Sequence, residues 1–157
     1  MINIKIKLLE KDGRMPHAPC YGTDEAAGAD LAAFLTEPVT LKPGDREAVP
    51  TGIAIELPQG CCAFVMARSG LALKNGIAPA NCVGLIDSDY RGELKVPLAN
   101  NGSEPFKIEN GMRIAQLVVM ELPKVVFEDV SELGETERGE GGFGSTGIAQ
   151  RREENIL

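Results

Sequence analysis

Ile2-Asn3-Ile4-Lys5-Ile6-Lys7-Leu8 places an apolar side chain at every second position. Successive side chains of a strand point to opposite faces. Ile2, Ile4, Ile6 and Leu8 therefore share one face and Asn3, Lys5 and Lys7 the other, which is the pattern of a half-buried strand. The same period returns at Ile53, Ile55, Leu57 and at Leu94, Val96, Leu98. Residues 61–67 and 114–120 are apolar runs, which suit strands covered on both faces. Turn formers punctuate these segments at Lys42-Pro43-Gly44-Asp45, Pro58-Gln59-Gly60, Asn101-Gly102 and Asn110-Gly111. The one helix candidate is the short stretch Gly70–Lys74, with Gly76 placed to end it. Many short strands with so little helix predict an all-β sandwich or closed barrel, and the lack of alternating β and α segments excludes a doubly wound fold.

A chain of 157 residues with 43% hydrophobic composition is one domain's worth and long enough for a real core. The formal net charge of −7 argues against a polyanion-binding surface, since nucleic-acid binders need a basic stripe to displace counterions. A small phosphorylated ligand, held by a few arginines and backbone N–H groups, is compatible with that charge. Cys20, Cys61, Cys62 and Cys82 include no C-x-x-C pair, and with the single histidine His17 they argue against a zinc site. The first residues carry no signal-peptide core and no apolar run approaches membrane-spanning length, so a reducing, cytoplasmic compartment is expected. Asn101-Gly102-Ser103 matches a glycosylation sequon but reads as a turn.

Composition changes at Glu128, dividing the chain into residues 1–127 and a tail, 128–157. The tail carries eight acidic and three basic residues, six glycines and few core-type side chains. It cannot bury enough apolar area to offset its ordering entropy alone. Within it, Gly139, Gly141 and Gly144 spell G-x-G-x-x-G, yet no strand precedes them and no βαβ unit surrounds them, so a dinucleotide-binding turn is rejected. Glycines also let backbone N–H groups wrap phosphate oxygens, Ser145 and Thr146 add hydroxyls, and Arg138 adds a fork-shaped cation. Phe143 has no core to join and could stack on a flat base. The competing reading is a linker with one stray aromatic.

Two further constellations lie in the strand-rich part. Ala67-Arg68-Ser69-Gly70-Leu71 follows an apolar strand and could bind phosphate at a helix start, or could simply be a serine cap beside an exposed arginine. Asn81 to Glu93 reads as a hairpin in which Asp87 is either a turn former or a general base held beside Tyr90. Asn81 offers the donor and acceptor that a pyrimidine edge requires.

In order along the chain stand Ala27-Gly28-Ala29-Asp30-Leu31, then Arg68-Ser69-Gly70-Leu71-Ala72 with Lys74 and Gly76, then Gly84-Leu85-Ile86-Asp87-Ser88-Asp89-Tyr90-Arg91-Gly92. Gly111-Met112-Arg113-Ile114-Ala115-Gln116-Leu117 and the run Arg138 to Gly147 complete the set. With these five motifs in register over residues 27 to 147, the chain resembles the trimeric dUTPase family.

That resemblance implies an all-β, jelly-roll-like distorted β-barrel with one short helix and a flexible C-terminal tail. The implied activity is Mg²⁺-dependent hydrolysis of dUTP to dUMP and diphosphate, which keeps uracil out of DNA and supplies dUMP for thymidylate synthesis. Asp87 matches the carboxylate that activates water and meets the deoxyribose 3′-OH, and Tyr90 the aromatic whose packing under the sugar rejects a 2′-OH. Asn81 matches the residue that pairs with uracil, aided by hairpin backbone at Gly84, Leu85 and Ile86 and near Lys95. Arg68, Ser69, Gly70 and Gln116 match phosphate contacts. Arg138, Gly144, Ser145 and Thr146 match the γ-phosphate grip, and Phe143 the ring that stacks on uracil. Asp30 matches a residue that reaches the Mg²⁺ shell through water, the metal having no direct protein ligand. The resemblance further implies a homotrimer with shared sites: Asp87 from one chain, Arg68-Ser69 from a second, the tail from a third. Departures are Ala67 in place of a common proline, Ala29 in place of a frequent tyrosine, and the extension Ile148–Leu157. The alternatives are a dCTP deaminase-like enzyme, for which an Arg-Ser-Ser run is expected, and a catalytically silent nucleotide-binding regulator.

Overall fold

The computed structural model describes residues 2–143, so Gly144, Ser145 and Thr146 lie outside the described residues. Twelve strands and one helix follow one another as β1 (Lys5–Leu8), β2 (Cys20–Tyr21), β3 (Ala29–Ala32), β4 (Val39–Leu41), β5 (Arg46–Pro50), β6 (Ile53–Glu56) and β7 (Cys61–Met66). Next come α1 (Ser69–Asn75), β8 (Ile77–Pro79), β9 (Gly84–Ile86), β10 (Lys95–Asn100), β11 (Phe106–Ile108) and β12 (Arg113–Glu121). The strand-built, jelly-roll-like class with a single short helix is as the sequence predicts. All pairings are antiparallel, in a five-stranded sheet β2-β3-β12-β7-β9, a three-stranded sheet β5-β10-β8, and the pairs β1-β6 and β4-β11. Among the described residues these ladders do not join into one closed ring.

The core collects the inward positions of nearly every strand, including Leu31, Val49, Ile53, Val96, Leu98, Ile108 and Ile114, each essentially inaccessible. Burying such side chains contributes on the order of 1.5–3 kcal/mol apiece before conformational entropy is subtracted. The apolar run of β7 is buried at successive residues from Cys61 to Ala63, so both of its faces are covered there, and β12 and β9 flank its edges. β1 meets its expectation only in part. Ile4 and Leu8 pack against the core, while Ile2 and Ile6 remain about 40% exposed. The strand is shorter than its alternation and pairs on one side only, with β6, so little chain is available to cover the remaining isoleucines.

The turns behave as their residues dictate. Asp45 closes the Lys42–Asp45 turn, its backbone N–H donating to the Lys42 carbonyl at 2.9 Å and its carboxylate accepting from the Lys42 N–H at 2.8 Å. Gly76 ends α1 in the left-handed region (φ 69°), donating its N–H to the Ala72 carbonyl. A Cβ there would meet the Gly102 backbone, so both the dihedral and the space require glycine. The helix begins one residue earlier than the serine-cap reading implies. Arg68, extended at φ −86° and ψ 122°, holds the cap position, and Ser69 is the first helical residue with its hydroxyl unused for capping.

The contact pattern separates a unit of Met1–Lys124 from a second unit beginning at Val125. In the second, Thr136–Gly141 forms successive turns: the Gly139 N–H donates to the Thr136 carbonyl and the Gly141 N–H to the Arg138 carbonyl, both at 3.0 Å. The Arg138 Nε donates to the Gly141 carbonyl at 2.8 Å. Phe143 is fully exposed with φ 47°. No helix of the described residues is long and apolar enough to cross a membrane.

Candidate active site

Asp87 follows β9 directly. Its carbonyl accepts the Tyr90 N–H at 3.2 Å, closing a turn over Asp87–Tyr90, as expected for aspartate at the first turn position. The turn is braced on its far side. The Tyr90 hydroxyl donates to the Glu93 carbonyl at 3.1 Å, and Arg91 Nη1 donates to the carbonyls of Ser88 (2.7 Å) and Tyr90 (2.9 Å). The Tyr90 ring lies directly over Gly92: a Cβ at that position would stand 2.6 Å from Tyr90 Cζ. Gly92 thus gives the ring its seat, and any side chain there would displace it.

The base of the segment is pinned to the loop between β5 and β6 and to the first residue of β6. The Thr51 hydroxyl donates to the buried Leu94 carbonyl at 2.6 Å, the Leu94 N–H donates to the Ile53 carbonyl at 2.7 Å, and the Gly52 N–H donates to Glu93 Oε1 at 2.9 Å. A cleft of about 430 Å³ opens between this segment and the start of β10, lined by Leu85, Ile86, Asp87, Tyr90, Glu93, Leu94 and Lys95. Five of these are residues singled out in the sequence. Glu93 and Leu94 were not, because their part is played by a latch and a buried carbonyl that have no local signature. Asp87 is exposed at the cleft and enters no ion pair among the described residues. A bare carboxylate on a rigid turn beside an aromatic floor can take a proton from a water placed over a sugar phosphate.

Asn81 and Gly84 stand at the other end of β9, where Gly84 pairs with Val65 while Ile86 pairs with Ala63. Gly84 is buried against Val65, and its missing side chain leaves the Asn81 amide nitrogen 3.5 Å from where a Cβ would be.

A second group forms where β3, β12 and β7 run side by side. Gln116 is in register with Asp30 on one side and with Met66 on the other, so three separate motifs meet at one end of the sheet. Asp30 is buried, with Oδ2 accepting from Arg113 Nη1 at 2.8 Å and Oδ1 lying 3.2 Å from Arg68 Nε. Arg68 Nη1 donates to the Arg113 carbonyl at 3.0 Å. Ser69 and Gly70 follow, both exposed.

The two groups are far apart within one chain. The β7–β9 register carries Asp87 to the level of Cys62, six residues before Arg68, or roughly 20 Å at ~3.3 Å per strand residue. Arg138 and Phe143 belong to the second unit, and Gly144, Ser145 and Thr146 lie outside the described residues.

The segment is not the hairpin that the sequence suggests: β9 pairs with β7 and β10 with β5 and β8, so Asp87–Glu93 is a loop that crosses from one sheet to another. An antiparallel β subunit with an exposed carboxylate and aromatic on this pinned loop, and a separate arginine corner, has the parts of a phosphate-ester or anhydride hydrolase. The dUTPase family model matches residues 15–147, and the chain belongs to that family. It is 51% identical over 146 residues to the deoxyuridine 5′-triphosphate nucleotidohydrolase of Rickettsia felis, covering 92% of this chain and 97% of that protein. Its counterpart from Desulfitobacterium hafniense is 52% identical over 149 residues, covering 94% and 98%. Among solved structures, a variant of the Staphylococcus bacteriophage 80alpha dUTPase with dUpNHpp superposes with a TM-score of 0.81 at 28% identity, covering 93% of this chain and 99% of that one. A variant of the phage phi11 dUTPase of S. aureus, which coordinates a structural Mg(II) ion, has a TM-score of 0.71 at 23% identity, covering 83% and 97%, and supports the fold alone.

Proposed function

We propose that this chain hydrolyses dUTP to dUMP and diphosphate, by in-line attack on the α-phosphorus of a water whose proton passes to Asp87. Membership of the dUTPase family supports the reaction, and the observation that carries the residue assignment is the exposed, unpaired Asp87 on the braced turn beside Tyr90. In this reading deoxyribose lies against the Tyr90 ring, which leaves no space for a 2′-OH. Uracil is paired by Asn81 and by backbone at Gly84–Ile86 and near Lys95. Arg68, Ser69, Gly70 and Gln116 orient the phosphate chain, and Arg138, Gly144, Ser145 and Thr146 grip its end while Phe143 stacks on the base. The product dUMP leaves one fewer dUTP for incorporation into DNA.

The roughly 20 Å between Asp87 and Arg68 along β7 favours a site completed by other copies of the chain, and a homotrimer with shared sites accounts for it. One subunit then supplies the Asp87 loop, a second the arginine corner and a third its tail, residues 128–157, beyond a β domain of residues 1–127.

Magnesium suits this site as a partner of the substrate. Among the described residues no three His, Cys, Asp or Glu side chains gather to hold a metal. Asp30 Oδ1, buried and without a hydrogen-bond donor, can accept from a water of the ion's shell, while the guanidiniums beside it oppose direct ligation. When bound across the triphosphate, Mg²⁺ supplies charge neutralisation and one fixed conformer. Four free cysteines, two of them exposed, are consistent with a reducing cytoplasm.

Hydrolysis in ¹⁸O-water tests the reaction as written. One ¹⁸O is expected in the dUMP phosphate and none in diphosphate. Label in diphosphate, or no consumption of dUTP, contradicts it.

A further inference from the structure

We infer that Glu93 is a positioning residue for sugar discrimination, a strut that stiffens the aromatic wall at Tyr90 against a ribose. Its carboxylate is anchored on the Gly52 N–H, and its carbonyl accepts from the Tyr90 hydroxyl. The inference rests on the dUTP-hydrolysing reading for its substrate, and extends it to a side chain which that reading leaves without a role.

The anchor has little freedom to move. Gly52 stands at φ 70°, where a Cβ would lie 2.6 Å from both Phe34 Cδ1 and Pro16 Cβ, so dihedral and space alike require glycine. Its carbonyl accepts the Leu9 N–H at 2.8 Å, while its own N–H donates to Glu93 Oε1 at 2.9 Å. The donor is thus held by its neighbours and aimed at the carboxylate, and a hydrogen bond to an ionised acceptor is among the stronger kinds. The second carboxylate oxygen lies 4.0 Å from Lys95 Nζ, on a lysine 56% exposed, so that pair contributes little and Gly52 does the holding.

The other half of the strut runs through the backbone. Tyr90 is 45% exposed, so packing alone does not fix its ring. The residue is held at both ends, by its N–H on the Asp87 carbonyl and by its hydroxyl on the Glu93 carbonyl at 3.1 Å. A wall that rejects an added 2′-OH does so by clash, and clash discriminates only as far as the wall does not yield. Free to tilt, the ring gives way to the extra oxygen. The base edge is met at Asn81, beyond the other end of β9, where such a tilt has no leverage. Sugar discrimination therefore depends on Glu93, and base discrimination does not.

Turnover of dUTP, UTP and dCTP by the full chain with Mg²⁺ tests the strut. Glu93→Ala should lower the ratio of kcat/KM for dUTP over UTP roughly tenfold, the weight of one hydrogen bond to a charged group. The ratio for dUTP over dCTP should stay within about threefold, as for independent sites. Glu93→Gln keeps an acceptor for the Gly52 N–H and should restore most of the sugar ratio, whereas Glu93→Asp, too short to reach it, should follow Glu93→Ala. Tyr90 also reports its seat without substrate. The chain has no Trp and two Tyr, so in a Tyr21→Phe background Tyr90 is the one tyrosine. Its near-ultraviolet circular dichroism should shrink in Glu93→Ala and Glu93→Asp and persist in Glu93→Gln. The strut is overturned if the sugar ratio of Glu93→Ala matches wild type, if both ratios fall together, if Glu93→Gln loses as much as Glu93→Ala, or if the dichroism does not change. No turnover of dUTP by the wild type would count against the substrate, and the dichroism then decides the strut alone.

Discussion

Asp87→Asn is expected to lower kcat for dUTP by on the order of 10³-fold while changing dUTP affinity by no more than about threefold. The substitution keeps the shape of the side chain and the turn, because the turn is closed by the Asp87 carbonyl and the Tyr90 N–H, with no part for the carboxylate. What is lost is the ability to take a proton. A general base contributes ~10²–10⁴-fold, and Glu93, the other acid lining the cleft, is occupied by the Gly52 N–H. Steady-state kinetics paired with equilibrium binding of the variant separates the two effects. Equal losses in turnover and affinity would make Asp87 a binding residue and remove it from the proton transfer.

Removing residues 138–157 is expected to leave the fold intact and to reduce turnover by on the order of 100-fold or more, comparable to losing transition-state donors at other phosphoryl and acyl sites. The fold prediction follows from where the core lies: every residue of it, from Leu31 to Leu117, belongs to the first unit. The turnover prediction follows from Phe143 and Arg138. A fully exposed phenylalanine on a strained backbone costs free energy in water and gains nothing within its own unit, which suits a ring that acts only on a bound base. Circular dichroism and thermal unfolding check the first half, and diphosphate release the second. A truncated chain with full activity would eliminate the tail from the reaction.

The sequence disclosed the strands where periodicity is strong and stayed silent where tertiary pairing decides. Alternation at 53–57 and 94–98 located β6 and β10 because one residue step flips a side chain across the sheet, and the face carrying Ile53, Ile55, Val96 and Leu98 is the buried one. The same alternation overstated β1, whose isoleucines at 2 and 6 stay half in solvent at an edge. Gly70–Lys74 came within a residue at each end of α1, and Gly76 marked its stop by the left-handed dihedral that glycine alone adopts cheaply.

The loop half of the site was legible in Asp87 and Tyr90, since turn chemistry and an aromatic are local features, but not its path, because β9 and β10 pair with distant strands and not with each other. Its supports were not: Glu93 reaches Gly52 across 41 residues, and the seat under Tyr90 is an absent side chain at Gly92. The arginine corner was legible in Arg68 and hidden in Arg113. A bulge of one residue leaves an apolar run unchanged to the eye, yet it moves Arg113 to the face of Asp30. Resemblance named Asp30 for its reach toward a metal, and the ion pairs add a reason for its burial that no single strand contains.

Diphosphate release from dUTP, UTP, dTTP and dCTP, measured side by side with Mg²⁺, tests the central claim most directly. Turnover of dUTP with the other three lower by at least about 100-fold is expected, because the sugar seat at Tyr90 and the uracil edge at Asn81 each reject one class of competitor. A preference for dCTP, or no turnover of dUTP, would contradict it.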